Sequence, residues 1–216
     1  MMRRCSSLAL AVLLGCAPHE PPRRVVTSPP VTSADVAEPL RAPSELAGIA
    51  DREARSIALF VEASRVITSP RCMNCHPADR MPTQGDDRHA HVPPMWAGVE
   101  GHGPAGLGCN TCHQAANVRT LNAPIASVPG NPEWGLAPAT MAWQGLGLSE
   151  LCVRIKDPQH NGNRSLAQIH EHMAKDPLVG WAWHPGDGRR PAPGTQDRFG
   201  ELVLAWIESG AACPAP

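Results

Sequence analysis

The chain has 216 residues, a net charge of −1 at pH 7 and 18% charged side chains. That balance, with no basic block anywhere, argues against nucleic acid as a partner. Tyr is absent, Phe occurs twice, and 19 Gly with 24 Pro favour turns over strands, so the body needs something besides aromatic or sheet packing to fill its centre.

At the N-terminus, Arg3 and Arg4 precede an apolar run from Leu8 to Leu14, which predicts an export signal over residues 1–15. The run is shorter than the roughly 20 apolar residues of a membrane-spanning helix. Leu13-Leu14-Gly15-Cys16 resembles a bacterial lipobox. Cys16 is therefore the expected lipidation site and first mature residue, with an ordinary signal cut near Ala17 as the alternative. Each buried acyl CH₂ contributes about 0.8 kcal/mol, so several chains would anchor the protein to the periplasmic side of a membrane; the alternative leaves it free in the periplasm. Residues 16–43, with seven prolines from Ala17 to Pro43 and no periodicity, read as an extended tether. Residues 44–216 then form one domain.

Within that domain, Ser44 can cap a helix running to about Ile67, with Leu46, Ile49, Ile57, Phe60 and Val61 on one face. Ser69-Pro70 stops it just before Cys72-Met73-Asn74-Cys75-His76. Residues 77–108 read as loop, a short helical turn carries Cys109-Asn110-Thr111-Cys112-His113, and 124–138 is irregular. Three helices follow, over 149–156, 164–175 and 196–209, the last capped by Thr195 and ended by Gly210. The expected fold is mainly α, with short helices, long loops and few or no strands.

Two C-x-x-C-H motifs carry the functional reading. A three-residue offset on a helical turn sets two thiols on one side, where they match the two vinyl groups of one haem, and the adjoining His can bind the iron. Cys72, Cys75, Cys109 and Cys112 are the expected attachment points of two c-type haems, with His76 and His113 as proximal ligands, so the expected mainly α fold is that of a multihaem c-type cytochrome whose long loops pack on haem. A Cys₄ zinc site would leave both histidines unexplained, and its cysteine pairs usually lie closer than the 33 residues between Cys75 and Cys109. A redox C-x-x-C needs a βαβ pattern that is missing. Cys5 leaves with the signal, so Cys152 and Cys213 remain as an expected disulfide, or as two buried thiols.

The opposite face of each iron decides between electron transfer and ligand chemistry. His89, His91, His102, His160, His170, His172 and His184 are candidates, with Met81, Met95, Met141 and Met173. His91 lies in a stretch able to fold back over a haem, and His172 sits on a helix with polar neighbours; these two are the favoured distal ligands. Met141 is the best methionine, with core packing as its alternative. The tryptophans at 96, 134, 143, 181, 183 and 206 can wall the haems or serve as general core. Arg189 and Arg190 can pair with haem propionates or lie in a solvated loop.

From about Val66 to Pro214 the chain resembles a group of bacterial haem proteins known as isoquinoline 1-oxidoreductase subunits. The resemblance rests on Cys72 to Asp79, Gln84-Gly85-Asp86-Asp87, Gly108 to Gln114, Leu136-Ala137-Pro138, Met141-Ala142-Trp143, Asp176 to Trp183 and Pro191 to Gln196. It implies a cytochrome partner of a molybdenum hydroxylase that oxidises N-heteroaromatic or aldehyde substrates. The chain has no C-x₄-C-x₂-C cysteine set and is too short for a molybdopterin domain, so it would take electrons rather than hydroxylate. The expected role is therefore an electron carrier that serves a dehydrogenase and passes electrons to the respiratory chain. A small dihaem peroxidase is the alternative, with His89 or Glu100 as its acid–base group. A haem-based sensor is a third reading, for which no signalling domain is found.

Overall fold

A computed structural model describes residues 38–121 and 125–216. The signal reading for 1–15, the lipidation of Cys16 and the tether up to residue 37 lie outside the described residues. The part of the expected tether that is described is packed rather than loose. Leu40 is buried, the Arg41 backbone and side chain both reach the Glu62 carboxylate, and Arg65 bonds the Pro39 carbonyl and Glu38. The domain is therefore anchored from Glu38 onward, because one leucine and two charge pairs, Arg41–Glu62 and Arg65–Glu38, outweigh the Pro-rich composition.

After a 3₁₀ turn, Pro43–Leu46, helix α1 spans Arg52–Ile67. It starts seven residues later than a cap at Ser44 predicts. Asp51 takes the cap instead, accepting the Ala54 N–H at 2.7 Å, and an Asp at this position is as good a cap as Ser. Pro70 occupies the first position of the short α2, Pro70–Met73, where its missing N–H costs nothing. Two hairpins, β1 (Thr83–Gln84) with β2 (His89–Ala90) and β3 (Val118–Arg119) with β4 (Ser127–Val128), are the described strands. The C-terminal half holds α3 (Leu148–Lys156), α4 (Leu166–Lys175), α5 (Pro177–Gly180) and α6 (Gln196–Glu208). Ser165 with Gln168 forms a capping box on α4, and Thr195 caps α6 as its sequence predicts. The described residues are thus mainly helical. None of their helices is long and apolar enough to cross a membrane.

α6 is the central helix. Phe199, Leu202, Val203 and Trp206 are buried along one face against α1 and α4, with Phe60 and Trp206 rings 5.3 Å apart. At Gly200 a Cβ would stand 2.6 Å from the Ala174 Cβ, so only glycine lets α4 and α6 approach this closely. Cys152 on α3 bonds Cys213 with an S–S distance of 2.07 Å and ties the C-terminal tail to the bundle. The irregular segments, residues 74–121 and 125–147, add Met141 and Trp143 to this core and are otherwise pinned by polar staples. Arg80 is one: its guanidinium reaches the Gly98 and Ala137 carbonyls, while the Ala137 N–H bonds Cys75.

Candidate functional site

Each C-x-x-C-H motif is wound into one helical turn, and the same hydrogen bond closes both. The His76 N–H donates to the Cys72 carbonyl at 3.2 Å, and the His113 N–H to the Cys109 carbonyl at 3.0 Å. The first turn continues α2, directly after α1. The second is a 3₁₀ turn, Cys109–Thr111, held by the Cys109 N–H on the His102 carbonyl.

The repeat extends to the imidazoles. His76 donates its Nδ1–H to the Met141 carbonyl at 2.7 Å and stacks on Trp143, ring centroids 3.5 Å apart and planes within 2°. His113 donates its Nδ1–H to the Pro129 carbonyl at 2.8 Å and stacks on Trp134 at 4.8 Å and 17°. A ligating histidine characteristically gives its second ring N–H to such an acceptor, which sets the tautomer and leaves the other nitrogen's lone pair for a metal. Here that leaves Nε2 on both rings. Burial pushes the His76 pKa down to about 4, with the His172 charge adding and the Met141 carbonyl opposing. Burial also lowers that of His113, helped by the charges of His91 and Arg189 against the Pro129 carbonyl. Both shifts favour the neutral imidazole that a metal ligand must be.

Between the motifs lies a cleft of about 310 Å³ with largely apolar walls, within the size range of cofactor sites. Cys75 of the first motif and Cys109, Cys112 and His113 of the second all line it, so the two attachment turns converge although 33 residues separate Cys75 from Cys109. Trp96, Trp134 and Trp181 also line it, and Trp181 meets Trp134 edge-on at 4.8 Å. Trp183 and Trp206 instead belong to the helical core, where each indole N–H reaches a backbone carbonyl.

His91 stands at the foot of the β1–β2 hairpin and lines the same cleft as His113. Two imidazoles sharing one iron at about 2 Å each would have centroids roughly 6 Å apart; those of His91 and His113 are 5.9 Å apart. The Nδ1–H of His91 donates to the Pro93 carbonyl at 2.8 Å, so its Nε2 is the free nitrogen as well. His172, half-buried on α4, gives its Nδ1–H to Asp176 and lies close enough for its charge to act on His76. Met141 sits behind His76, its carbonyl on the ring and its sulfur against Arg164. Met95 lines the cleft and Met173 is core. His89 is exposed, with both ring nitrogens engaged by Asp87 and Gln84.

Burial raises the thiol pKa of Cys72 to about 12, with the Cys75 charge adding, and that of Cys75 to about 11. Cys109 is raised too, again by burial. These thiols stay protonated, the reverse of what a nucleophilic redox cysteine requires.

Sequence reasoning did not single out Arg71. Its side chain is 1% exposed and lines the cleft; Nη2 bonds Asp86 and the Gly85 carbonyl, while Nε and Nη1 have no partner. The Trp143 indole N–H is a second buried donor without a partner. Proximity to Cys72 was the one available signal, since an arginine beside an attachment motif is easily read as solvated.

An apolar cleft walled by tryptophans, three thiols along it, Nδ1-anchored imidazoles and orphaned buried donors together fit a planar, apolar, acid-bearing metallocofactor. No protein-family model, no curated protein and no solved structure matches the chain.

Proposed function

We propose that this chain is an electron-transfer protein with two covalently attached c-type haems, on Cys72, Cys75 and His76, and on Cys109, Cys112 and His113. The observation that carries the reading is the duplicated imidazole setting. Two histidines in C-x-x-C-H turns each surrender Nδ1–H to a backbone carbonyl, rest on a tryptophan and keep Nε2 free. Haem iron, so held, supplies a one-electron couple. The chain's own residues hold the rings neutral, exclude water with Trp134, Trp143 and Trp181, and bring both attachment turns to one cleft, which keeps the two redox centres close.

His91 and His172 are the distal ligands in this reading, opposite His113 and His76 respectively. The peroxidase reading needs an acid–base side chain facing an open iron. His89 has both ring nitrogens engaged, and Glu100 is exposed and off the cleft, so these residues favour the carrier. We take the electron donor to be a molybdenum hydroxylase or another periplasmic dehydrogenase, on the resemblance of residues 66–214. The lipobox at Cys16 would hold the protein to a membrane facing the periplasm.

A pyridine haemochrome assay with intact-mass measurement tests the proposal. Protein from a host able to mature c-type cytochromes should carry two haems. Cys72→Ala/Cys75→Ala and Cys109→Ala/Cys112→Ala should each lose one. Colourless protein, or stoichiometric zinc in place of haem, overturns it.

A further inference from the structure

Arg71 is the least satisfied buried charge among the described residues. A guanidinium has five N–H donors; here the two on Nη2 are used, and the three on Nε and Nη1 are buried without partners. Unpaired buried donors cost about 1–3 kcal/mol each, more when charged, so such a group persists where something else completes it. Burial pulls the Arg71 pKa down while Asp86 pulls it up, the sign of a cation short of counter-charge.

The surroundings decide what that partner is. Asp86 is the one carboxylate bonded to Arg71, and it is shared with the Arg190 guanidinium and backbone N–H. Arg189 also lines the cleft, its nitrogens held by Ser127 and the Pro185 and Asp187 carbonyls. Three cations against one carboxylate favour an anion over water. Both thiols and the imidazole of the second motif line the same cleft, against Cys75 alone of the first, so the acid is assigned to whatever Cys109 and Cys112 hold.

We propose that Arg71, carried on the first attachment helix, binds a propionate carboxylate of the haem attached to Cys109 and Cys112, and that its charge sets the reduction potential of that haem. This rests on the dihaem reading and extends it: a residue next to one haem's cysteine serves the other haem. Oxidation adds a positive charge at the iron, which a nearby buried cation opposes, so Arg71 raises the potential.

The test is spectropotentiometry on haem-loaded full-length protein, after a haemochrome count. Arg71→Gln should keep two haems, lower one of the two midpoints by at least about tenfold in the one-electron equilibrium, 59 mV, and shift the propionate bending band in resonance Raman spectra. Arg71→Lys, which keeps the charge, should recover most of the midpoint. Asp86→Asn, which removes the competing carboxylate and leaves Arg71 in place, should move the same midpoint upward. Both midpoints unchanged in Arg71→Gln, or both lowered equally, overturns the proposal while leaving the dihaem reading intact. If Arg71→Gln does not mature, Asp86→Asn decides alone, and no upward shift overturns it. Wild-type protein without haem sinks the dihaem reading and this inference together.

Discussion

His91→Ala isolates one iron. The side chain makes one hydrogen bond, to the Pro93 carbonyl, so its removal costs about 1 kcal/mol and leaves the helical core untouched. In the dihaem reading His91 is the proposed ligand across the second iron, its ring centroid 5.9 Å from that of His113. Its loss should convert one of two haems from low to high spin, halving the low-spin signal in optical and electron paramagnetic resonance spectra. Added imidazole should restore that half, because the vacated volume matches the lost ring. His172→Ala should remove the other half, and the double variant should leave no low-spin signal. Met95 lines the same cleft and supplies the control. If Met95→Leu halves the signal while His91→Ala changes nothing, the geometric pairing of imidazoles is refuted.

Three further outcomes concern the fold that holds the site. Cys213→Ser opens a cross-link between residues 61 apart, which the chain-entropy model values at about 4 kcal/mol. Urea unfolding should show a loss of that order with the haem spectrum unchanged, since neither cysteine lines the cleft. Gly200→Ala forces a Cβ to 2.6 Å from Ala174; helix propensity favours Ala by about 1 kcal/mol, yet thermal unfolding should show a net loss of about 1–3 kcal/mol, partly recovered by Ala174→Gly. Burial pushes the Glu62 carboxyl up, but hydrogen bonds from the Arg41 backbone and the Arg65 and Arg41 side chains outweigh it and hold its pKa below the ordinary 4.5. Its pairing therefore stabilises the fold above pH 4.5 and is lost as pH falls through the lowered value, so Glu62→Gln should flatten the acid limb of the stability profile.

What could be read from the sequence is what neighbouring residues decide among themselves. The two C-x-x-C-H turns and the Thr195 cap are local patterns, and each lies where its spacing places it. The start of α1 was less legible, because Ser44 and Asp51 are both competent caps and only packing chose between them. Composition likewise gave no hint that Glu38 to Arg41 would be tied to Glu62 and Arg65.

The site itself needed the tertiary structure. The Met141 carbonyl lies 65 residues from His76, and Arg71 meets a cleft whose second-motif cysteines begin 38 positions later. Residue spacing marked where the imidazole of each C-x-x-C-H motif stands. Which carbonyl orients it, which indole covers it, and which guanidinium is left wanting an anion depended on how long loops of glycine and proline cross. A loop's path is set by the surfaces it buries and the hydrogen bonds it closes, and neither has a period along the chain.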